Sequence, residues 1–180
     1  MKIVVTVKQV PDPNAQQGLE PDNTIARDRE VVLDPGDEYG IEEGLQLKEL
    51  HGGEVILVSM GPERAREAIR KGLSMGADRG ILITDDELSG ADALLTARAL
   101  AAAIQPESPD LVICATESYD GSTGMVPPML AELGVEKGQP AETVVAVADA
   151  EARVAGEIVE DDGSSGVERI MAVLAAARVV

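Results

Sequence analysis

A polar segment at residues 116–124, TESYDGSTG, carries the residue types in this chain that are best suited to bind an anion. An apolar run at residues 111–114 precedes it and predicts a strand buried on both faces of a sheet. A helix-like run at residues 125–133 follows it. The first amides of a helix lack intrahelical partners and the helix dipole favours negative charge there, so this order favours a phosphate site.

Four small residues in the segment support that chemistry. Ser122 and Thr123 can cap the following helix or bond a phosphate directly. Gly121 and Gly124 allow the backbone to approach a ligand closely. The alternative is an ordinary turn between a strand and a helix, which the same residue types form in many proteins.

Composition and charge narrow the classes of function. The 180 residues suit one domain with an appendage, and 44% of them are apolar, which is enough for a core. Phe and Trp are absent, so that core must consist of Val, Leu, Ile, Ala and Met. The formal net charge of −18 would repel a phosphate backbone, which argues against nucleic-acid binding.

A single cysteine, Cys114, and a single histidine, His51, argue against metal and triad chemistry. One cysteine cannot form an intramolecular disulfide, and the chain has no Cys/His cluster for zinc and no evident Ser-His-Asp triad. His51 precedes two glycines and is expected to be a solvated residue at a helix end. We therefore expect no catalytic residue and no metal site.

The chain offers no signal for a membrane. No apolar run approaches the ~20 residues that span a bilayer. The N-terminus starts directly in a predicted strand and does not resemble a signal peptide. The expected location is the cytoplasm, without membrane insertion.

Apolar periodicity predicts alternating strands and helices along residues 1–134. Predicted strands cover residues 3–7, 54–60, 79–84 and 111–114, and predicted helices cover residues 37–50, 62–75, 91–104 and 125–133. In the third helix, Leu94, Leu95 and Ala102 are expected to face the core. This alternation is typical of an α/β fold, here a Rossmann-like parallel sheet with helices on both faces.

The segment at residues 8–30 is rich in Pro, Asp, Asn and Gln and has no apolar pattern of its own. We expect a long excursion, with a small hairpin at residues 24–33. Loops of this length in a compact domain are usually functional or mobile.

Ligands of parallel α/β sheets bind outside the carboxyl ends of the strands. This rule gathers residues 6–10, 34–39, 60–61 and 115–126 into one predicted cleft. Tyr39 and Tyr119, the only aromatic residues, fall in these segments. They either stack on a base or flavin, or pack over the sheet end with the hydroxyl in water. Lys8 either meets a phosphate or lies on the surface, and we favour the surface.

The sequence changes character beyond residue 134. Residues 135–153 lack clear periodicity, and the acidic connection that follows, with its Glu160-Asp161-Asp162 run, is expected to be solvated. Apolar residues at i, i+3, i+4 and i+7 then predict an amphipathic helix at residues 166–177. We expect a nucleotide-binding domain at residues 1–134 and a C-terminal arm, ending in this helix, at residues 135–180.

Four motifs together resemble the small (beta) subunit of electron-transfer flavoproteins. They are MKIVVTVKQVPDP, LDPGDEYGIEEGLQLKE, VSMGPERAREAIRKGLSMGADRG and DLVICATESYDGSTGMVPPMLAELG. The last residues, GEIVEDDGSSGVERIMAVLAAARVV, look like the C-terminal end of the same family. By comparison with that family, the segment after about residue 134, with its Lys-rich helix for docking dehydrogenases, is missing or shortened.

The resemblance implies an electron carrier rather than a catalyst. It implies a heterodimer with a larger alpha subunit that carries FAD, dehydrogenases as electron donors, and a nucleotide in this chain. That nucleotide is AMP as a structural element, or a second FAD in electron-bifurcating members. The sheet-end rule and the resemblance together predict as cofactor-binding residues Thr6, Lys8, Asp34, Pro35, Gly36, Asp37, Tyr39, Met60, Ala115, Thr116, Glu117, Tyr119, Asp120, Gly121, Ser122, Thr123, Gly124, Met125 and Val126.

Two other functions stay open on sequence grounds. A stand-alone sensor of adenine nucleotides would use the same sheet without a flavoprotein partner. An NAD-dependent enzyme is disfavoured, because no G-x-G-x-x-G follows the first strand and no general base is evident.

Overall fold

The computed structural model of the chain describes residues 1–16, 18–21, 25–27 and 30–134. The predicted C-terminal arm at residues 135–180, including the helix at 166–177, lies outside the described residues.

Strands and helices alternate along the described residues. The strands are β1 (Lys2–Thr6), β2 (Gln9–Pro11), β3 (Val31–Leu33), β4 (Glu54–Met60), β5 (Arg79–Ile83) and β6 (Leu111–Ile113). The helices are α1 (Pro35–His51), α2 (Arg66–Met75), α3 (Ala93–Ile104) and α4 (Val126–Glu132). Every strand and helix predicted within residues 1–134 is present, with bounds shifted by at most a few residues. None of the described helices is both long and apolar enough to cross a bilayer.

The central sheet is parallel, with the strand order β5-β4-β1-β6. The chain runs from β1 outward to β4 and β5, and then returns to place β6 on the other side of β1. The carboxyl ends of β1 and β6 are therefore the topological switch point, where sheets of this kind bind ligands. The predicted fold, a parallel α/β sheet, is confirmed.

Each face of the sheet buries its own apolar core, because successive side chains of a strand alternate between the faces. Ile3 and Val5 of β1 belong to one core, together with Ile41 of α1 and residues of α2. Val4 belongs to the other core, which contains residues of α3 and Leu130 of α4. Helices thus cover both faces, as the continuous apolar strands require.

Local sequence signals fix where two helices begin. The carboxylate of Asp34 accepts a hydrogen bond from the Gly36 amide at 2.9 Å, and Pro35 occupies the first helical position of α1. Asp92 caps α3 through the Leu95 amide at 2.7 Å. Both caps place a polar side chain at the carboxyl edge of the sheet.

The inward face of α3 differs from the prediction. Leu94 and Leu95 are 39% and 42% exposed, and Ala102 is also exposed. The buried residues of the helix are Ala97, Leu100, Ala101 and Ile104. An Ala-rich helix has little polarity contrast to mark its faces, and small residues let it pack closely on the sheet.

β6 lies at the edge of the sheet formed by the described residues, and its three residues are exposed or half-buried, so the prediction of a strand buried on both faces is wrong. Leu111 is 37% exposed, because no described strand covers that side of β6.

The hairpin near the start of the chain also has a different pairing from the one predicted. β2 and β3 pair antiparallel, with Val10 opposite Val32. An isolated bridge between Leu19 and Ile25 lies within the excursion that connects the two strands. The excursion therefore begins at β2 and ends at β3, and these two strands are paired with each other just after β1 in the chain.

Candidate functional site

A cavity of about 590 Å³ lies at the carboxyl ends of the parallel strands. It is lined by Thr6 at the end of β1, Met60 at the end of β4 and Ala115 just beyond β6. Its volume is within the usual range for small-molecule pockets. It therefore occupies the position that the topology assigns to a ligand.

About half of the residues predicted from the sequence line this cavity. They are Thr6, Lys8, Asp37, Met60, Ala115, Glu117, Gly121, Thr123, Gly124 and Val126. A second, more open groove shares Ala115 and Glu117 and is bordered by Gly36, Tyr39 and Thr116. The predicted residues that line neither space are Asp34, Pro35, Tyr119, Asp120, Ser122 and Met125.

The two tyrosines are not brought to the cavity. Tyr39 is 80% exposed and borders only the second groove, and Tyr119 is 56% exposed. Stacking of either ring on a ligand in the cavity has no support in this arrangement.

Sequence reasoning missed two parts of the cavity wall. One is the connection after β5 with the start of α3, which contributes Leu88, Gly90, Ala91, Asp92, Ala93, Thr96 and Leu100. The sheet-end rule applied to β5 as well would have found that connection. The other is Arg27, which comes from the excursion between β2 and β3 and has no local signal in the sequence.

Two buried carboxylates bond the loops around the cavity to one another. Asp34 accepts a hydrogen bond from the Tyr119 amide at 2.7 Å, in addition to its bond within α1. Asp37 accepts one from the Lys8 amide at 2.7 Å. Since Asp34 and Asp37 are only 2% and 5% exposed, these bonds fix the start of α1 to the loops after β1 and β6.

Asp37 is the carboxylate that lines the cavity from α1. Burial raises the pKa of Asp37 to about 7, and the neighbouring Asp34 adds to this effect, although the hydrogen bond from the Lys8 amide opposes it. Near neutral pH this side chain exists in both protonation states. It can therefore either donate a hydrogen bond to a ligand or accept one.

The stability of the protein should fall with rising pH because of Asp37. Its folded-state pKa, about 7, exceeds the unfolded value of 3.8, so the folded state binds the proton more tightly. This contribution is fully present below the unfolded value and is lost as the pH rises through 7. Between about pH 5 and pH 8 we expect a loss of roughly 2–3 kcal/mol in wild type and a much smaller loss in Asp37→Asn, measured by urea denaturation.

Glu49→Gln is the matched control for this measurement, because Glu49 is an exposed carboxylate on the same helix. It should keep the pH dependence of wild type. A pH dependence that survives in Asp37→Asn would show that Asp37 is not the group responsible.

Two backbone amides ahead of α4 have no hydrogen-bond acceptor in the described part of the chain. Among the described residues, no acceptor is bonded to the amides of Thr123 and Gly124. α4 begins at Val126 with Met125 as its N-cap residue and no side-chain cap, so neither Ser122 nor Thr123 caps the helix. The next two residues are prolines without N–H groups, so donors for an anion come from the loop rather than from the helix.

Lys8 lines the cavity rather than lying free on the surface. Its ammonium group is 2.6 Å from Asp120 Oδ1 and 3.1 Å from Ser118 Oγ. Burial raises the pKa of the Cys114 thiol, which also lines the cavity, so this cysteine remains a neutral thiol at neutral pH. The wall thus combines cations, apolar side chains and amides that no described residue bonds, without an activated nucleophile among these groups.

The fold and the cavity together define a doubly wound α/β protein with a cavity at its switch point, where such folds bind ligands. A family model, the electron transfer flavoprotein domain, matches residues 22–155. The electron transfer flavoprotein subunit beta of Thermoanaerobacterium thermosaccharolyticum is 40% identical over 133 residues, which cover 73% of this chain and 51% of that protein. The protein FixA of Sinorhizobium fredii is 43% identical over 139 residues, with coverages of 73% and 48%.

The electron transfer flavoprotein subunit beta of Mycobacterium leprae is 40% identical over 179 residues, which cover 94% of this chain and 66% of that protein. The chain belongs to the electron transfer flavoprotein family, which confirms the resemblance of its motifs. It spans about half the length of the Thermoanaerobacterium and Sinorhizobium relatives.

Proposed function

We propose that this chain is the nucleotide-carrying subunit of a two-subunit electron carrier. In this proposal the cavity holds an adenine nucleotide, either AMP or a second FAD. The chain pairs with an alpha subunit that carries FAD, and the complex passes electrons from dehydrogenases to an acceptor. The chain has no substrate of its own, and its location in the cytoplasm stays a prediction.

The main support for the proposal is that the ends of three strands line one cavity. Thr6, Met60 and Ala115 reach the cavity from β1, β4 and the loop after β6. The bond from the Tyr119 amide to Asp34 and the bond from the Lys8 amide to Asp37 hold the loops after β6 and β1 to the start of α1. A preformed cleft of this kind needs little reorganisation to bind a ligand.

The chemistry of the wall suits a nucleotide. The amides of Thr123 and Gly124 and the cations of Lys8 and Arg27 are donors for a phosphate group. Met60 and Leu100 provide apolar surface for a base. A flavin supplies the redox chemistry when it is bound, and the residues of this chain bind it, orient it and exclude water.

Co-expression with an alpha subunit from the same source tests pairing and ligand together. The expected product is a yellow complex of both chains. Extraction should release one AMP in addition to the FAD of the alpha subunit, or two FAD molecules per complex, identified by mass. A chain that purifies alone, colourless and without nucleotide would contradict the proposal.

Thr96→Trp tests whether the nucleotide binds in this cavity. Thr96 lines the cavity from α3, so an indole at this position should occupy part of its volume. We expect AMP to bind at least about tenfold more weakly in isothermal titration calorimetry. Leu95→Trp adds the same group to an exposed position that does not line the cavity, and should leave the affinity unchanged. Equal effects of the two substitutions would place the ligand elsewhere.

A stand-alone nucleotide-binding module is the second candidate. The described residues that line the cavity lie between Thr6 and Pro127, so this chain supplies ligand contacts without an alpha subunit. Tight AMP binding by a chain that captures no alpha subunit in the co-expression experiment would favour this alternative.

A further inference from the structure

Asp37 has one carboxyl oxygen that no described residue bonds. The side chain is buried and lines the cavity from the first turn of α1. Its Oδ2 accepts a hydrogen bond from the Lys8 amide at 2.7 Å, whereas no donor within the described residues bonds its Oδ1. The neighbouring Asp34 differs, because both of its oxygens accept amide hydrogens, from Gly36 and from Tyr119. Oδ1 of Asp37 is therefore the oxygen available to carry a proton or to bond a ligand.

Negative charge predominates around Asp37. The other charged side chains that line the cavity within the described residues are two cations, Lys8 and Arg27, and two carboxylates, Asp92 and Glu117. Their charges cancel, and the neutral Cys114 thiol adds none. Two further carboxylates adjoin the cavity without lining it, Asp34 beside Asp37 and Asp120 bonded to both cations. An ionised Asp37 thus adds to an excess of negative charge, and protonation of Asp37 removes part of that excess.

A ligand in the cavity should favour the protonated form of Asp37. Burial raises the pKa of this carboxyl to about 7 before any ligand binds, and the neighbouring Asp34 adds to the effect. A ligand that fills the cavity displaces water from the carboxyl, and an anionic ligand also brings a negative charge close to it. Both changes favour the neutral acid over the carboxylate.

We propose that the cavity binds its nucleotide together with one proton, which is taken from solvent and held by Asp37. This inference rests on the proposed function, because it requires an anionic nucleotide in the cavity. The proton converts the Asp37 carboxylate to a neutral carboxylic acid, whose O–H donates a hydrogen bond to an acceptor on the nucleotide. Because the complex holds the proton more tightly than the empty chain does, the affinity is highest at low pH and falls as the pH rises through 7. Asp37 thereby makes occupancy of the cavity depend on pH near neutrality.

Calorimetric titration of the full chain with AMP, after removal of any co-purified nucleotide, tests the inference. Titrations at pH 7 in buffers of low and high ionisation enthalpy, such as Pipes and imidazole, give the number of protons taken up. Wild type should take up about half a proton per AMP, because about half of the Asp37 side chains already carry one at this pH. Between about pH 7 and pH 8.5 the AMP affinity should fall on the order of tenfold. The phosphate of AMP contributes little over this range, because its second pKa is about 6.

Two variants assign the proton to a residue. Asp37→Asn should abolish both the proton uptake and the fall in affinity, since the amide keeps an acceptor for the Lys8 amide and does not titrate. Glu117→Gln is the matched control, because it removes one carboxylate from the same cavity and leaves Asp37 in place. It should keep both the proton uptake and the fall in affinity.

A second measurement needs no variant. The ¹³C chemical shift of the Asp37 carboxyl carbon, followed against pH by NMR in wild type, reports its protonation directly. With AMP bound, protonation should persist to higher pH than without AMP. If Asp37→Asn does not fold, as judged by circular dichroism, this titration decides.

The possible results separate the inference from the proposed function. AMP binding without proton uptake, at an affinity that does not change between pH 7 and pH 8.5, would overturn the inference and leave the proposed function standing. Proton uptake that persists in Asp37→Asn, or that disappears equally in Glu117→Gln, would also overturn the inference, because another group or the total charge would then be the cause. Failure of wild type to bind AMP at any pH in this range would overturn both.

Discussion

Replacing Gly72 with alanine should lower the free energy of unfolding by roughly 1–3 kcal/mol, although alanine is the better helix former. Gly72 is buried on α2, where the helix meets the sheet. A Cβ at this position would lie 2.4 Å from Leu57 Cδ1 and 3.0 Å from Ile41 Cδ1. Both neighbours are fully buried, so they cannot move aside without disturbing the core. Urea denaturation followed by circular dichroism measures the effect.

Gly40→Ala is the matched control, since it makes the same change inside α1. The nearest atoms to a Cβ there are Ile113 Cγ2 and Val5 Cγ1, both at 3.4 Å, which is ordinary van der Waals contact. The gain in helix propensity should then make this variant neutral or more stable by up to about 1 kcal/mol. If both variants were equally stable, α2 would not be packed as closely on the sheet as described.

Replacing Asp34 with alanine should weaken both the fold and the ligand site. The variant loses the cap of α1, worth about 1 kcal/mol, and leaves the Tyr119 amide without its acceptor. We expect a total loss of roughly 2–3 kcal/mol in unfolding free energy. AMP should bind at least about tenfold more weakly, because the loop after β6 is no longer held to α1.

Asp85→Ala provides the comparison for this prediction. Asp85 also accepts a hydrogen bond from the amide two residues ahead, at 2.9 Å, but it bonds to no other loop within the described residues and does not line the cavity. It should cost no more than about 1 kcal/mol and leave AMP binding unchanged. Wild-type affinity in Asp34→Ala would show that the bond to Tyr119 does not shape the site.

Most elements of the described fold follow from local sequence. The run EVILVSM gives β4 with the bounds that the structure shows, because six consecutive apolar or small residues after Glu54, between a Gly pair and Gly-Pro, are typical of a buried strand. The helix predicted from residue 37 begins two residues earlier, at Pro35, because Asp34 caps it and proline fits the first helical position. These features depend on neighbours in the chain, which the sequence displays.

The errors concern features that depend on distant neighbours. The buried face of α3 is set by close packing of Ala97 and Ala101 on the sheet rather than by a stripe of leucines. The exposure of Leu111 is consistent with the position of β6 at the edge of the described sheet. The sequence of a short apolar strand does not differ between an edge strand and a central one, so this position could not be predicted.

The sequence predicted where in the fold the cavity lies, but it predicted only part of the side chains that line it. The rule on strand ends located the loops after β1, β4 and β6, because topology alone determines it. Arg27 was missed because its position depends on the pairing of β2 with β3 and on its bond to Asp120. Asp34 joins α1 to the loop after β6 and does not line the cavity. This role depends on its hydrogen bond with the distant Tyr119 amide, so the sequence alone could not show it.

Hydrogen–deuterium exchange on AMP binding tests the central claim most directly, after any co-purified nucleotide has been removed. The proposed site predicts slower exchange in peptides that contain Thr6, Met60 and residues 121–126, since these segments line one cavity. The amides of Thr123 and Gly124, which have no acceptor among the described residues, should gain the most protection. Protection confined to other segments, or no protection at AMP concentrations that saturate binding, would contradict the account.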